Sequence, residues 1–335
     1  MSNVKPARAR LSLWRAAALA FAALLVDPAA AQTAAIAPAA PDLGNVVSAS
    51  TGITTFRVSG AAGTISKVSG NGVRLSSGGS PVLVTISCNN NTCRNKALTV
   101  RVGSLGSPGG RMGALSNFTV TPGSAAVSAA SGSNPLTFTI GALPNPGSAT
   151  FWIGMDVPIQ GDDSGSGTGA ASSDFYVYVA VQGTTPTTGS TSAALARVFR
   201  PIAVSNPTPL AFGKIVRPAS GTGSVAISAS SGERTVTGTG ALGLSGPSPG
   251  RATYSVTGEG GQSFTLSIPS SFQMTGPGTP LTVMLTSTAS GSQSLSAAAG
   301  SAGTLSFGIG GSFPISSTTV TGAYQGNYSV TVSYN

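Results

Sequence analysis

Short runs of alternating apolar and polar residues recur along the chain, separated by turns rich in Gly, Pro, Ser and Asn. Thr54-Thr55-Phe56-Arg57-Val58 is one such run, and residues 82–88, 97–102, 136–140 and 174–181 are others. An apolar side chain on every second residue is what a strand with one buried face requires. Turn signals at residues 70–72, 107–110 and 144–147 fall between them at the spacing of an all-β fold. The pattern predicts about nine short strands in each half, with no βα alternation, and therefore antiparallel sandwiches.

The second half repeats the first. Phe151, Ile153, Gly154, Pro158 and Ile159 recur in order and spacing as Phe307, Ile309, Gly310, Pro314 and Ile315. Each set leads through a Gly/Ser-rich loop to an alternating run. These are Phe175-Tyr176-Val177-Tyr178-Val179 in the first half and Tyr328-Ser329-Val330-Thr331-Val332-Ser333-Tyr334 in the second. Leu98, Val100 and Val102 share the register of Phe264, Leu266 and Ile268. Ile86 shares that of Val256, once the first half is allowed four extra residues that include the cysteines.

The expected architecture is all-β: two tandem immunoglobulin-like antiparallel β-sandwiches. The expected limits are 1–31 for a cleaved signal peptide, 32–50 for a flexible leader and 51–182 for a first sandwich with a stapled hairpin. A linker at 183–193 and a second sandwich at 194–335 complete the division. Phe264, Leu266, Ile268, Val283, Leu285, Phe307, Ile309, Val330 and Val332 are expected to face inward. Tyr328, Val330, Val332 and Tyr334 would share the buried face of the closing strand, on which the chain ends.

Lys5, Arg8, Arg10 and Arg15 precede an apolar run at residues 16–26, and Ala29-Ala30-Ala31 offers a cleavage site. The run is shorter than the roughly 20 residues that span a bilayer. Export without a membrane span is expected, through the periplasm to the cell surface or the medium. The formal net charge is +9, falling to +6 without residues 1–31, and the cations are scattered singly. Nucleic-acid binding needs a clustered basic stripe, so no such partner is expected.

Candidate chemistry is sparse. Cys88 and Cys93, with four residues between them in an exported chain, suit a disulfide bracing a hairpin tip. The chain has no His, which removes the usual general base and the usual metal ligand. The acids after residue 31 are Asp42, Asp156, Asp162, Asp163, Asp174, Glu233 and Glu259, and no two are placed as a glycosidase pair. Asp162-Asp163-Ser164-Gly165 offers hard oxygens to Ca²⁺ but lacks the spaced pattern of a calcium loop, so a solvated loop is expected. Trp152, Tyr176 and Tyr178 form a candidate sugar-stacking face, set against an ordinary sheet-face role. No catalytic residue, cofactor or metal is expected.

Leu210-Ala211-Phe212-Gly213-Lys214-Ile215-Val216 opens a series of motifs. It continues through Tyr254-Ser255-Val256-Thr257-Gly258, residues 265–269 and the Gly-rich 307–311, and ends on residues 326–335. This series resembles an exported bacterial domain family of unknown function, DUF4402. The first half resembles a diverged copy without a clean Leu-x-Phe-Gly opening. The ending is similar, more distantly, to the closing strand of chaperone–usher pilin-like subunits of the common-pilus and spore-coat-U types.

That resemblance implies sandwiches completed by a partner's strand, with neighbouring subunits, a periplasmic chaperone and an outer-membrane usher as partners. The expected function is a secreted or cell-surface structural or adhesive protein, a fimbrial or adhesin-type subunit assembling by β-strand complementation. Residues 328–334 would be its strand-exchange segment. The alternative is a self-contained module binding a host or matrix glycan.

Overall fold

A computed structural model describes residues 32–37 and 40–335. The expected signal peptide lies outside them. No α-helix is present among the described residues, which form strands, turns and one short 3₁₀ turn at Asp162–Ser164.

The first unit runs β1 (Gln32–Ala37), β2 (Asp42–Val47), β3 (Ile53–Val58), β4 (Ile65–Ser69), β5 (Val73–Arg74), β6 (Val82–Cys88) and β7 (Leu98–Ser104). It continues with β8 (Ser116–Pro122), β9 (Val127–Ser131), β10 (Leu136–Ile140), β11 (Gly147–Gln160), β12 (Gly169–Val181) and β13 (Gly189–Phe199). One sheet has the order β1-β6-β11-β3-β4, with β8 also on β11; the other has the order β5-β2-β13-β12-β7-β10-β9. Alternate side chains from both sheets, among them Val84, Ile86, Val100, Phe138, Phe151 and Val177, merge into one continuous core. Phe138 and Phe151 meet edge to face there, with centroids 5.1 Å apart.

The second unit runs β14 (Ala203–Thr208), β15 (Ile215–Val216), β16 (Thr222–Ile227), β17 (Arg234–Thr237), β18 (Leu242–Gly243) and β19 (Ala252–Glu259). Then come β20 (Ser263–Ser267), β21 (Ser271–Met274), β22 (Leu281–Ser287), β23 (Gly291–Ser294), β24 (Ala302–Ser316) and β25 (Thr331–Tyr334). Its main sheet has the order β14-β19-β24-β16-β17, with β22 attached to β24 and β21 to β22. Opposite it stand two pieces, β15-β18 and β23-β20-β25.

Strand pairing shows the repeat residue by residue. Ile86 pairs Ala149 as Val256 pairs Leu305, and Val58 pairs Met155 as Ile227 pairs Gly311. The Gly of the repeated Phe-x-Ile-Gly motif has one cause in both copies. A Cβ on Gly154 would lie 2.9 Å from the Val58 carbonyl oxygen, and one on Gly310 would lie 2.1 Å from that of Ile227, its counterpart.

Three expectations need correction. The flexible leader is structured: β1 pairs β6 and β2 pairs β13, so small residues such as Ala34 and Ala35 form a strand where a neighbouring sheet edge accepts them. The linker at 183–193 is a turn entering β13, which pairs antiparallel with β12 and completes the first unit's sheet. The units meet instead near Arg200. The stapled hairpin is a crossover, because β6 and β7 lie in different sheets.

The staple itself is present: Cys88 and Cys93 are disulfide-bonded, with Cα atoms 5.8 Å apart, and both are buried in the first core. Replacing both by Ala is expected to cost the first unit about 2–4 kcal/mol. The loss should appear in its denaturant midpoint while the second unit's is unchanged. An unaltered first-unit midpoint would show that the bond does not support the core.

Candidate functional site

The opening of the second unit is a strand interrupted by a turn. Gly213 takes φ +72° between Phe212 and the two residues of β15, and Gly44 takes φ +71° between Leu43 and Val46. These are equivalent positions: Val46 pairs Arg74 as Ile215 pairs Gly243. Asp42-Leu43-Gly44-Asn45-Val46 is thus the first unit's version of Ala211-Phe212-Gly213-Lys214-Ile215. This opening was hidden because Leu replaces Phe.

The units then diverge. In the first, β13 lies between β2, to which it is parallel, and β12, to which it is antiparallel. In the second, β15 and β25 correspond to β2 and β12, and none of the described residues takes the place of β13. Two strand spacings, roughly 9–10 Å, separate the partners of a missing strand. The seven-stranded sheet of the first unit is therefore represented by the separate pieces β18-β15 and β25-β20-β23.

Three observations follow from this gap. Val46 is fully buried beside β13, whereas Ile215 is half-buried and Val216 is 40% exposed. Phe175, Val177 and Val179 on β12 are buried, whereas the equivalent Tyr328, Val330 and Val332 are only partly so. The second core is divided in two, one cluster around Phe264, Leu266 and Phe307 and another around Phe212, Met274, Phe313 and Ile315. Over the latter opens a cavity of about 750 Å³, walled also by Phe272 and Tyr324 and edged by Lys214 and Arg217.

The predicted closing-strand residues Tyr328, Val330, Val332 and Tyr334 share one face, and it packs on the core. Only Thr331–Tyr334 is strand, whereas β12 starts at Gly169. The part of β12 that pairs β13 is the part that lacks strand structure here. Burial, with Tyr254 beside it, pushes the Tyr328 phenol well above the ordinary tyrosine range.

Residues 202–334 match the family described as Domain of unknown function (DUF4402). The match spans the second unit, here the DUF4402 unit, from β14 to β25. No curated protein matches the chain.

The DUF4402 unit is joined to the first by a polar network absent from the sequence reading. Asp162 accepts hydrogen bonds from Arg111 and, at 2.7 Å, from Arg200 Nη1. Glu259, almost fully buried, accepts from Thr168 Oγ1 at 2.9 Å, Gly300 N at 2.5 Å and Arg200 N at 3.2 Å. The Tyr334 hydroxyl donates to the Arg200 carbonyl at 3.0 Å and accepts from Glu259 N at 2.7 Å. Burial raises the Tyr334 phenol above its ordinary value. The loop at 162–165 is solvated at Asp163, Ser164 and Gly165, which are exposed, while Asp162 is partly buried. Asp162 joins the ion pairs, and Asp163 accepts from Gly52 N at 3.1 Å.

The aromatic face does not assemble. Trp152 alternates with inward Phe151 and Ile153 and so lies on the outside of the β11 sheet. Tyr176 and Tyr178 lie on the outside of the opposite sheet, their rings stacked at 4.3 Å with Arg101 over Tyr176 at 5.9 Å. Elsewhere Asp156 is buried in the first unit. Burial alone would raise its carboxyl, but hydrogen bonds from Arg57 at 2.6 and 2.7 Å and from Asn117 at 2.7 Å hold it below its ordinary value.

Proposed function

We propose that this is a secreted or cell-surface structural protein, a fimbrial or adhesin-type subunit whose DUF4402 unit is completed by an extended segment of another polypeptide. The observation that carries this reading is the open position between β15 and β25, which β13 fills in the first unit. Unpaired strand edges beside an apolar groove are a template for strand addition. The first unit, with that position filled, is the candidate binding head, and the DUF4402 unit is the connector.

Strand addition in cis tests the reading. A copy of residues 183–199 appended after Asn335 carries the turn and strand that complete the first unit. The unextended chain is expected to form concentration-dependent oligomers in light scattering. The extended chain should be monomeric, with the second unit melting several degrees higher. A strictly monomeric unextended chain that gains nothing from the appended strand would overturn the proposal.

A further inference from the structure

The strand missing from the second unit has a template in the same molecule, and the differences between the two sites describe its occupant. In the first unit Leu195 stands opposite Asp42 and Ser172, and Val198 opposite Val46 and Gly169. The repeat transfers these positions to Ala211 and Gln325, and to Ile215 and Gly322. The bridge from Gly109 to Ser172 has its equivalent in the bridge from Thr275 to Gln325, which fixes the register at this end. A donor in this place runs parallel to β15 and antiparallel to residues 322–331.

The two sites differ in size. The inward residues of β13 are small, namely Ala194, Ala196 and Val198, and all are buried. The second site is walled by Phe212, Phe272, Met274 and Phe313 around about 750 Å³. Small inward side chains would leave much of that space empty, whereas protein interiors are close-packed.

They differ also in charge. Arg197 of β13 lies opposite the neutral Asn45. The equivalent donor position lies opposite Lys214, with Arg217 near by, and no acidic residue lines the cavity. A donor cation would be repelled there and a carboxylate attracted.

Resting on the strand-acceptor reading, we infer that the DUF4402 unit takes an extended segment of a partner polypeptide with bulky apolar residues at every second position and an acidic residue beside Lys214. Four peptides of the length of β13, which has 11 residues, test this on the full chain. The first has Ile and Phe at inward positions and Asp beside Lys214. The second has Lys in place of Asp, the third has Ala at all inward positions, and the fourth is the first in reversed order. Affinity is read by fluorescence anisotropy and edge pairing by hydrogen exchange.

The first peptide should protect both 211–216 and 322–331. It should bind about fivefold tighter than the second, the scale of one exposed ion pair, and at least tenfold tighter than the third. The reversed peptide should bind more weakly and leave 211–216 unprotected. The variant Lys214→Ala should erase the difference between Asp and Lys peptides without weakening the Asp peptide more than about fivefold. Equal binding of all four peptides would overturn the inference. So would failure of the first peptide in a chain that the appended strand stabilises, and that result would leave the acceptor reading standing. If neither peptide nor appended strand has any effect, both readings fall.

Discussion

Glu259→Ala should lower the stability of the junction between the units by about 1–3 kcal/mol, the scale of leaving buried donors without their acceptor. Glu259 is 1% exposed and accepts hydrogen bonds from three places: Thr168 in the first unit, the Arg200 backbone between the units, and Gly300 in the second. Its removal leaves those donors without their acceptor and confines the Arg200 guanidinium to Asp162 and the Gly300 carbonyl. Calorimetry should show the two units separating into distinct transitions, or moving further apart if already distinct. Glu259→Gln keeps the oxygen that accepts from Thr168 and Gly300 and should lose less. If Glu259→Ala costs under about 1 kcal/mol, the network is an ordinary surface cluster and the units are held together by something else.

The strand faces were legible because a half-buried strand repeats every second residue. Phe264 and Leu266 are buried, and Val330 and Val332 face the core, as their spacing predicts. The repeat was legible where large residues survive in both copies, as in Phe151 and Phe307. It was not legible in β1 and β13, rich in Ala, Ser and Thr, or in β2, broken by Gly44, because these strands are held by β6 and by each other across long stretches of sequence. Gly189–Phe199 has the polar, small-residue composition of a linker, yet Ala194, Ala196 and Val198 are buried because β2 and β12 close around them. Composition reports local preference, and sheet membership there is decided by tertiary context.

The candidate site was half legible for the same reason. Residues 328–334 were singled out as a closing strand; their Tyr and Val side chains pack partly buried on the core, and the open position beside them emerges only when β13 is seen in the first unit. The junction network lay beyond sequence reasoning, since Arg111, Asp162, Arg200 and Glu259 are dispersed in sequence and meet only where the two units join. The nearest signal was compositional. The chain has only 8 acidic residues, and Glu259 opens the Gly-rich turn Glu259-Gly260-Gly261.

Phe151→Ala and Phe307→Ala remove the same side chain from equivalent places, yet their costs should differ. Phe151 is wholly buried in a continuous core and packs edge to face on Phe138. Its loss should cost the first unit about 3–5 kcal/mol, the range for a deleted core aromatic. Phe307 is also buried, stacked on Tyr254 at 5.2 Å, but Tyr328 and Val330 in the same cluster are half-exposed beside the open position. Side chains without a rigid cover can relax toward a cavity, and the cost of a truncation falls with the volume they fill. Phe307→Ala should therefore sit at or below the lower end of that range, measured as the shift of the second unit's midpoint in denaturant. In a chain carrying the appended strand, residues 322–334 lose that freedom, and the cost of Phe307→Ala should rise toward that of Phe151→Ala. An unchanged cost on strand addition would mean that the added strand does not cover this core, and that the open edge is not what leaves it loose.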